Sequence, residues 1–155
     1  MIDLDPCSDP IAQGRVQALQ YLGSDQDSLS QSWHGRVFLN PPFGVEGGQS
    51  QQGAFFQKAV AEYTAGDATE VLLLLKAAVG YVWFAPVLQW PHAWLHARVA
   101  FLAGNEPKAQ ADVQNPHGSI AVYLGPNVKR FCKVFAKLAS VPGCSSWPDA
   151  AKDKL

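Results

Sequence analysis

The residues with the clearest chemical content are Asn40, Pro41, Pro42 and Phe43, which end the apolar run Val37-Phe38-Leu39. Proline fixes its own φ and bars the preceding residue from the helical region, so Asn40 and Pro41 are both expected to be extended. The result is a stiff bracket carrying one side-chain amide oxygen, from Asn40, and one backbone oxygen, from Pro41. The ring of Phe43 follows as a flat apolar plate. Two acceptors so placed can each take one N–H of a planar amino group whose lone pair is conjugated with a ring. Stabilising charge at that nitrogen draws it toward tetrahedral geometry and frees the lone pair for attack, while the aromatic face can hold the ring. The competing reading is a strand-ending turn with a buried phenylalanine.

Two further groups are placed to serve a ligand. Met1 to Leu4 reads as a strand that enters Asp5-Pro6-Cys7. Ligands of open α/β sheets sit outside the carboxyl ends of strands, so Asp5 is expected to face the crevice; a plain Asp-Pro turn is the alternative. Ala18 to Leu22 reads as a second strand, followed by Asp25 and Asp27. Carboxylates there can accept hydrogen bonds from ribose hydroxyls or an adenine amino group, or they are solvated loop charges. No G-x-G-x-x-G is present, so no phosphate-cradling loop is expected.

The elements that must position these groups are legible in outline. Gly44 to Gly53 (GVEGGQSQQG) reads as a mobile loop, either a lid or an ordinary insertion. Ala54 to Ala65 has helical periodicity and is closed by Gly66. Glu70 opens the run VLLLL, a central strand ending at Lys76. Gly80 to Trp90 reads as a short helix, and Ala93 to His96 and Arg98 to Ala103 as short strands. Gly104 to His117 is polar and turn-rich. Ser119 to Leu124 reads as a strand and Asn127 to Leu138 as a helix capped by Asn127. Alternating strands and helices predict an α/β fold with a mainly parallel central sheet and helices on both faces. One domain is expected over residues 1–140, with 141–155 as a surface tail.

Composition agrees with that class. Of 155 residues, 48% are hydrophobic and only 16% charged, which suits a single compact domain and excludes a disordered chain. No apolar run approaches the roughly 18 residues that would span a membrane. No signal peptide is visible either, so an intracellular location is expected. Cys7, Cys132 and Cys144 are too few and scattered for a disulfide framework or zinc site, so reduced thiols and no metal are expected. Net charge is −1, without the basic face usual in a free-standing duplex binder. The one basic cluster, Lys129, Arg130, Lys133 and Lys137, reads as a solvated helix face or a phosphate-binding one. Nothing in the composition fixes an oligomeric state.

The tetrapeptide Asn40-Pro41-Pro42-Phe43 resembles the signature of amino-methyltransferases that use S-adenosylmethionine. From Ile2 to about Leu124 the chain is similar to the phage-type Dam family of DNA N6-adenine methyltransferases. The landmarks, in order, are Asp5-Pro6-Cys7, Asp27-Ser28-Leu29, Trp33-His34-Gly35, the bracket, Phe55 to Val60, Leu72 to Leu75 with Trp83-Phe84, Phe101 to Gly104, and Pro116 with Ser119. The resemblance implies a Rossmann-like fold that binds S-adenosylmethionine and acts on a flipped-out adenine in DNA. Asn40 and Pro41 would then orient the amine, Pro42 stiffen the bracket, and Phe43 stack on the base. Asp5, Pro6 and Cys7 would lie at the cofactor, with Asp25 or Asp27 at its ribose or adenine. No metal and no covalent intermediate are called for.

The chain departs from that family pattern in four places. An upstream Thr-Pro segment of relatives has no counterpart, which predicts an N-terminally truncated fold that binds S-adenosylmethionine weakly or not at all. Lys76 stands where proline is usual, Asn105 where arginine is usual, and the loop after the bracket is longer. Two other readings remain: a protein glutamine N-methyltransferase, whose signature the same tetrapeptide resembles, and an inactive paralogue kept as an interaction domain.

Overall fold

The run Val71 to Leu75 lies inside the longest strand, β6 (Ala68–Lys76), and sorts its side chains between two faces of a sheet. A computed structural model describes residues 1–100 and 116–144. The other strands are β1 (Leu4–Asp5), β2 (Gln20–Tyr21), β3 (Gly35–Leu39), β4 (Val45–Glu46), β5 (Gln49–Ser50), β7 (His92–Leu95), β8 (Ser119–Leu124) and β9 (Ala139–Ser140). Seven of them form one sheet in the order β2-β1-β3-β6-β8-β7-β9. The first three pairings are parallel. β8 is antiparallel to both β6 and β7, and β9 is antiparallel to β7. The sheet is therefore mostly parallel, with β8 and β9 reversed.

Its two faces are covered by different helices. Val71, Leu73 and Leu75 join Leu39 and Val122 against Phe55 and Phe56 of α2 (Gln51–Ala65) and Phe84 of a 3-10 segment, Val82–Gln89. Each fully buried aliphatic side chain there contributes about 1.5–3 kcal/mol. On the opposite face, Ala121 and Tyr123 meet Val128 and Phe131 of α3 (Val128–Phe135), and the Tyr123 and Phe131 rings stack at 5.3 Å.

An ion pair fastens β1 to β3. Arg36 Nε and a terminal guanidinium nitrogen donate to the two carboxylate oxygens of Asp3 at 2.9 and 3.1 Å, and the Arg36 backbone N–H donates at 2.7 Å. These bonds from Arg36 hold the Asp3 carboxyl down at about 2. Gly35 makes the approach possible. Its φ is +67°, and a Cβ there would lie 2.7 Å from an Asp3 carboxylate oxygen.

Several expectations are corrected. The strands expected over 1–4 and 18–22 are two-residue ladders, β1 and β2. Pro10–Val16, unassigned from sequence, is helix α1, with the Asp9 side chain accepting from Ile11 N and Ala12 N at 2.7 and 2.8 Å. Asp9 is its N-cap, with proline in the first helical turn. Gly44 to Gly53 is not a plain loop: β4 and β5 form a hairpin, turned by Gly47 and Gly48 at φ 57° and 80°. α2 then starts at Gln51, capped by Ser50. The helix expected over 80–90 is the tighter 3-10 form, and it contains Pro86, which has no N–H to donate. Arg98 to Ala100 form no strand; 101–103, the turn-rich segment as far as residue 115, and 145–155 lie outside the described residues.

Near the C-terminus, Asn127 gives no side-chain cap to α3, and its amide is held by the Glu70 carboxylate instead. Cys132 and Cys144 form a disulfide, contrary to the reduced thiols expected; the turn back through β9 brings their Cα atoms to 5.9 Å. Cys7 is free. The expected tail thus begins as a pinned segment, with Val141 packed beside the second core.

Because Asp3 is depressed from 3.8 to about 2, its contribution to stability is full above about pH 4 and is lost as pH falls through 2. An Asp3→Asn variant is expected to be less stable than the parent at pH 7, with the gap closing between pH 4 and 2. Urea denaturation across that range measures it, and a pH-independent gap would contradict the assignment.

Candidate active site

The parallel strands β1, β2 and β3 end at one edge of the sheet, and the segments leaving them, with the start of α2, enclose a cleft of about 780 Å³. Pro6, Cys7, Asp27, Ser28, Asn40 and Pro42 all line it, with Phe55 of α2 among its apolar walls. The hairpin contributes Glu46 and Gln49, and Gln51 Nε2 donates to Glu46 at 3.1 Å. The first strand, the segment after the second and the bracket are thus brought to one place.

Asp5 is not on the cleft surface. It is 2% exposed, and its carboxylate accepts from Cys7 N at 3.2 Å and Gln13 Nε2 at 3.0 Å. Burial raises its pKa, against these hydrogen bonds, which favour the charged form. Its observable work is to fix the Pro6–Ser8 turn against α1. Cys7 does line the cleft, but burial pushes its thiol up to about 12, so it is protonated at neutral pH and is no nucleophile.

Asp27 is at the exposed rim and also accepts from Leu29 N at 3.2 Å. Asp25 is exposed and does not line the cleft. Between them and the core stands Ser28, 6% exposed, whose hydroxyl has no hydrogen-bond partner. Trp33 fixes this segment: its Nε1–H donates to the Ser28 carbonyl at 3.0 Å and its ring stacks on Phe55 at 6.1 Å.

At the bracket, Asn40 is half-buried, Pro41 buried, and Pro42 exposed on the cleft wall. Phe43 is 47% exposed and lies outside the cleft lining. The Pro41 carbonyl accepts a long bond, 3.4 Å, from Gln52 Nε2, and the Gln52 side-chain oxygen accepts from Lys76 N at 3.0 Å. β3 pairs with β6 only as far as Leu39 and Leu73. Beyond that point proline offers no N–H, and the Gln52 amide bridges the two strand ends. One lone pair of the Pro41 oxygen remains for a second donor.

The sequence does not single out Gln52 or Gln13, and it carries Ser28 only inside the landmark Asp27-Ser28-Leu29. Gln52 hid in a Gly/Gln-rich stretch; the available signal was Ser50 as an N-cap, which moves the helix start upstream and turns Gln52 inward. Among the described residues, no group of three or more His, Cys, Asp or Glu side chains could hold a metal.

A Gln52→Leu variant would leave Lys76 N without its bond and Pro41 O with one donor fewer, a loss of about 1–3 kcal/mol. Gln52→Glu can still accept from Lys76 N but cannot donate to Pro41. Urea denaturation with hydrogen exchange at Lys76 measures both. Parent-like stability and protection in the leucine variant would remove the bridge.

A family model described as DNA N-6-adenine-methyltransferase (Dam) matches residues 2–139, from β1 through α3 to the start of β9. No curated protein matches the chain. The mostly parallel seven-stranded sheet with flanking helices fits a methyltransferase-like fold. No helix among the described residues is long and apolar enough to cross a membrane. With the match covering nearly all of its length, the chain belongs to the Dam family of DNA N-6-adenine methyltransferases.

Proposed function

We propose that this chain transfers a methyl group from S-adenosylmethionine to the exocyclic amine of an adenine flipped out of DNA. The observation that carries the proposal is the shared cleft: Asn40 and Pro42 line the same space as Pro6, Cys7, Asp27 and Ser28. An acceptor group and a candidate cofactor-binding segment thus border one volume. Flipping is required because the amine is paired inside a duplex.

The residues present fit the cofactor. Ser28 carries a buried hydroxyl without a partner, which suits a nucleoside nitrogen or hydroxyl, and Asp27 adds a carboxylate at the rim. Pro6, Leu29 and Phe55 supply apolar walls. When bound, the cofactor supplies an electrophilic methyl carbon. Asn40 Oδ1 and the free lone pair of Pro41 O would each accept one N–H of the adenine amine, aligning its lone pair and releasing one proton to solvent. Pro42 keeps both acceptors from relaxing. The protonated Cys7 takes no covalent part. The contribution of the chain is positioning and electrostatics.

Asn40→Ala is expected to lower methyl transfer to adenine-containing DNA by about 10²–10³-fold, or roughly 2.7–4 kcal/mol, with unfolding unchanged. Transfer of a labelled methyl group, with a protein substrate beside the DNA, tests the reaction and its acceptor. Turnover equal to the parent would remove Asn40 from the mechanism; a parent that methylates neither substrate would favour an interaction domain.

Ser28→Ala gives an independent check. Deleting an unpartnered buried hydroxyl should stabilise the free protein by about 1 kcal/mol while weakening S-adenosylmethionine binding. Calorimetric titration and thermal unfolding read both. A variant that binds as the parent does would place the cofactor elsewhere.

A further inference from the structure

We infer that Lys76 and Tyr81 form a subsite for the DNA strand flanking the flipped adenine, Lys76 holding a phosphate and Tyr81 stacking on a neighbouring base. The inference rests on the DNA substrate proposed above and adds to it a place on the surface. β6 ends at Lys76, and the backbone N–H of this residue is tied through the Gln52 amide to the Pro41 carbonyl. Lys76 therefore emerges one side-chain amide away from the bracket.

Its ammonium nitrogen lies 5.6 Å from the centroid of the Tyr81 ring, which is 58% exposed. Val79 and Val82 beside it are exposed as well. Apolar side chains exposed at neighbouring positions of the chain give a surface that a partner can cover. A cation beside an open aromatic face is the pairing that tracks a nucleic-acid strand: the charge takes the backbone and the ring takes a base.

Charge elsewhere makes Lys76 the natural choice. Arg36 and Lys58 already pair with Asp3 and Glu62, whereas no carboxylate among the described residues pairs with Lys76. The basic cluster on α3 starts at the far end of the sheet. β8 runs antiparallel to β6 with Leu124 opposite Val71, and Arg130 lines a groove there with Arg36 and Glu70. A cation–π contact at an exposed site is weak, so Lys76 can leave Tyr81 for a phosphate at little cost.

The test is binding of an adenine-containing duplex oligonucleotide by fluorescence anisotropy between about 50 and 200 mM salt. Lys76→Gln should reduce the slope of log K against log salt by about one and Lys76→Arg should keep it. Tyr81→Ala should weaken binding by roughly 5- to 150-fold at unchanged slope, and Tyr81→Phe should retain affinity. Affinity for S-adenosylmethionine and thermal unfolding should be unchanged in all four variants. If the parent binds and methylates DNA while Lys76→Gln and Tyr81→Ala bind it equally well, the subsite is overturned and the proposed function stands. A parent that binds no DNA at any salt overturns both.

Discussion

The edge of the sheet depends on one side-chain amide. Two prolines in succession make the bracket stiff, but they also strip it of backbone donors just where a parallel ladder should continue. β6 outruns β3 at that point, so groups on both strands would be left unpaired in a mostly buried place. Gln52 meets both needs at once, donating to Pro41 and accepting from Lys76. Its own burial follows from the capped start of α2, so a helix N-terminus sets the orientation of a carbonyl on a neighbouring strand.

Around that link the cleft is built from short pieces held by polar bonds as much as by apolar packing. β1 has only two ladder residues, yet the Asp3–Arg36 pair and the close approach at Gly35 fix it beside β3. Asp5 spends its carboxylate on the turn after β1 and on Gln13, so it organises the wall without forming part of it. Trp33 does the equivalent for the segment after β2, joining the Ser28 carbonyl to the Phe55 ring. In the proposed reaction the acceptors would meet a ligand already oriented, which is the condition for electrostatic preorganisation.

How much of this was legible depended on whether local sequence or distant contact set the conformation. The bracket, β6, β8 and the body of α2 follow from proline geometry and apolar periodicity, which are local. α1 escaped notice because Asp9-Pro10 is equally a turn and a helix start. The hairpin escaped because β4 and β5 are two residues each and carry no apolar alternation. Asn127 looked like a cap, but Glu70, far away in sequence, competes for its amide. The Cys132–Cys144 pairing likewise needed the return through β9, which spacing alone does not reveal. Asp5 and Gln52 show the same limit inside the site: residue type was readable, but the partner taking up its hydrogen bonds was not.

The brevity of the outer strands has a consequence of another kind. Among the described residues, β2 and β9 bound the sheet on either side, and each is two residues long. A sheet that ends in such stubs offers few unpaired backbone groups for another chain to extend. On the β9 side the protection is covalent, since the disulfide closes the loop that carries β9 against α3. Opening that bond would leave the stub over β7 held only by its two-residue ladder and the packing of Ala139 and Val141. The same crosslink that ties the segment after α3 therefore also helps to keep that edge from pairing with another chain.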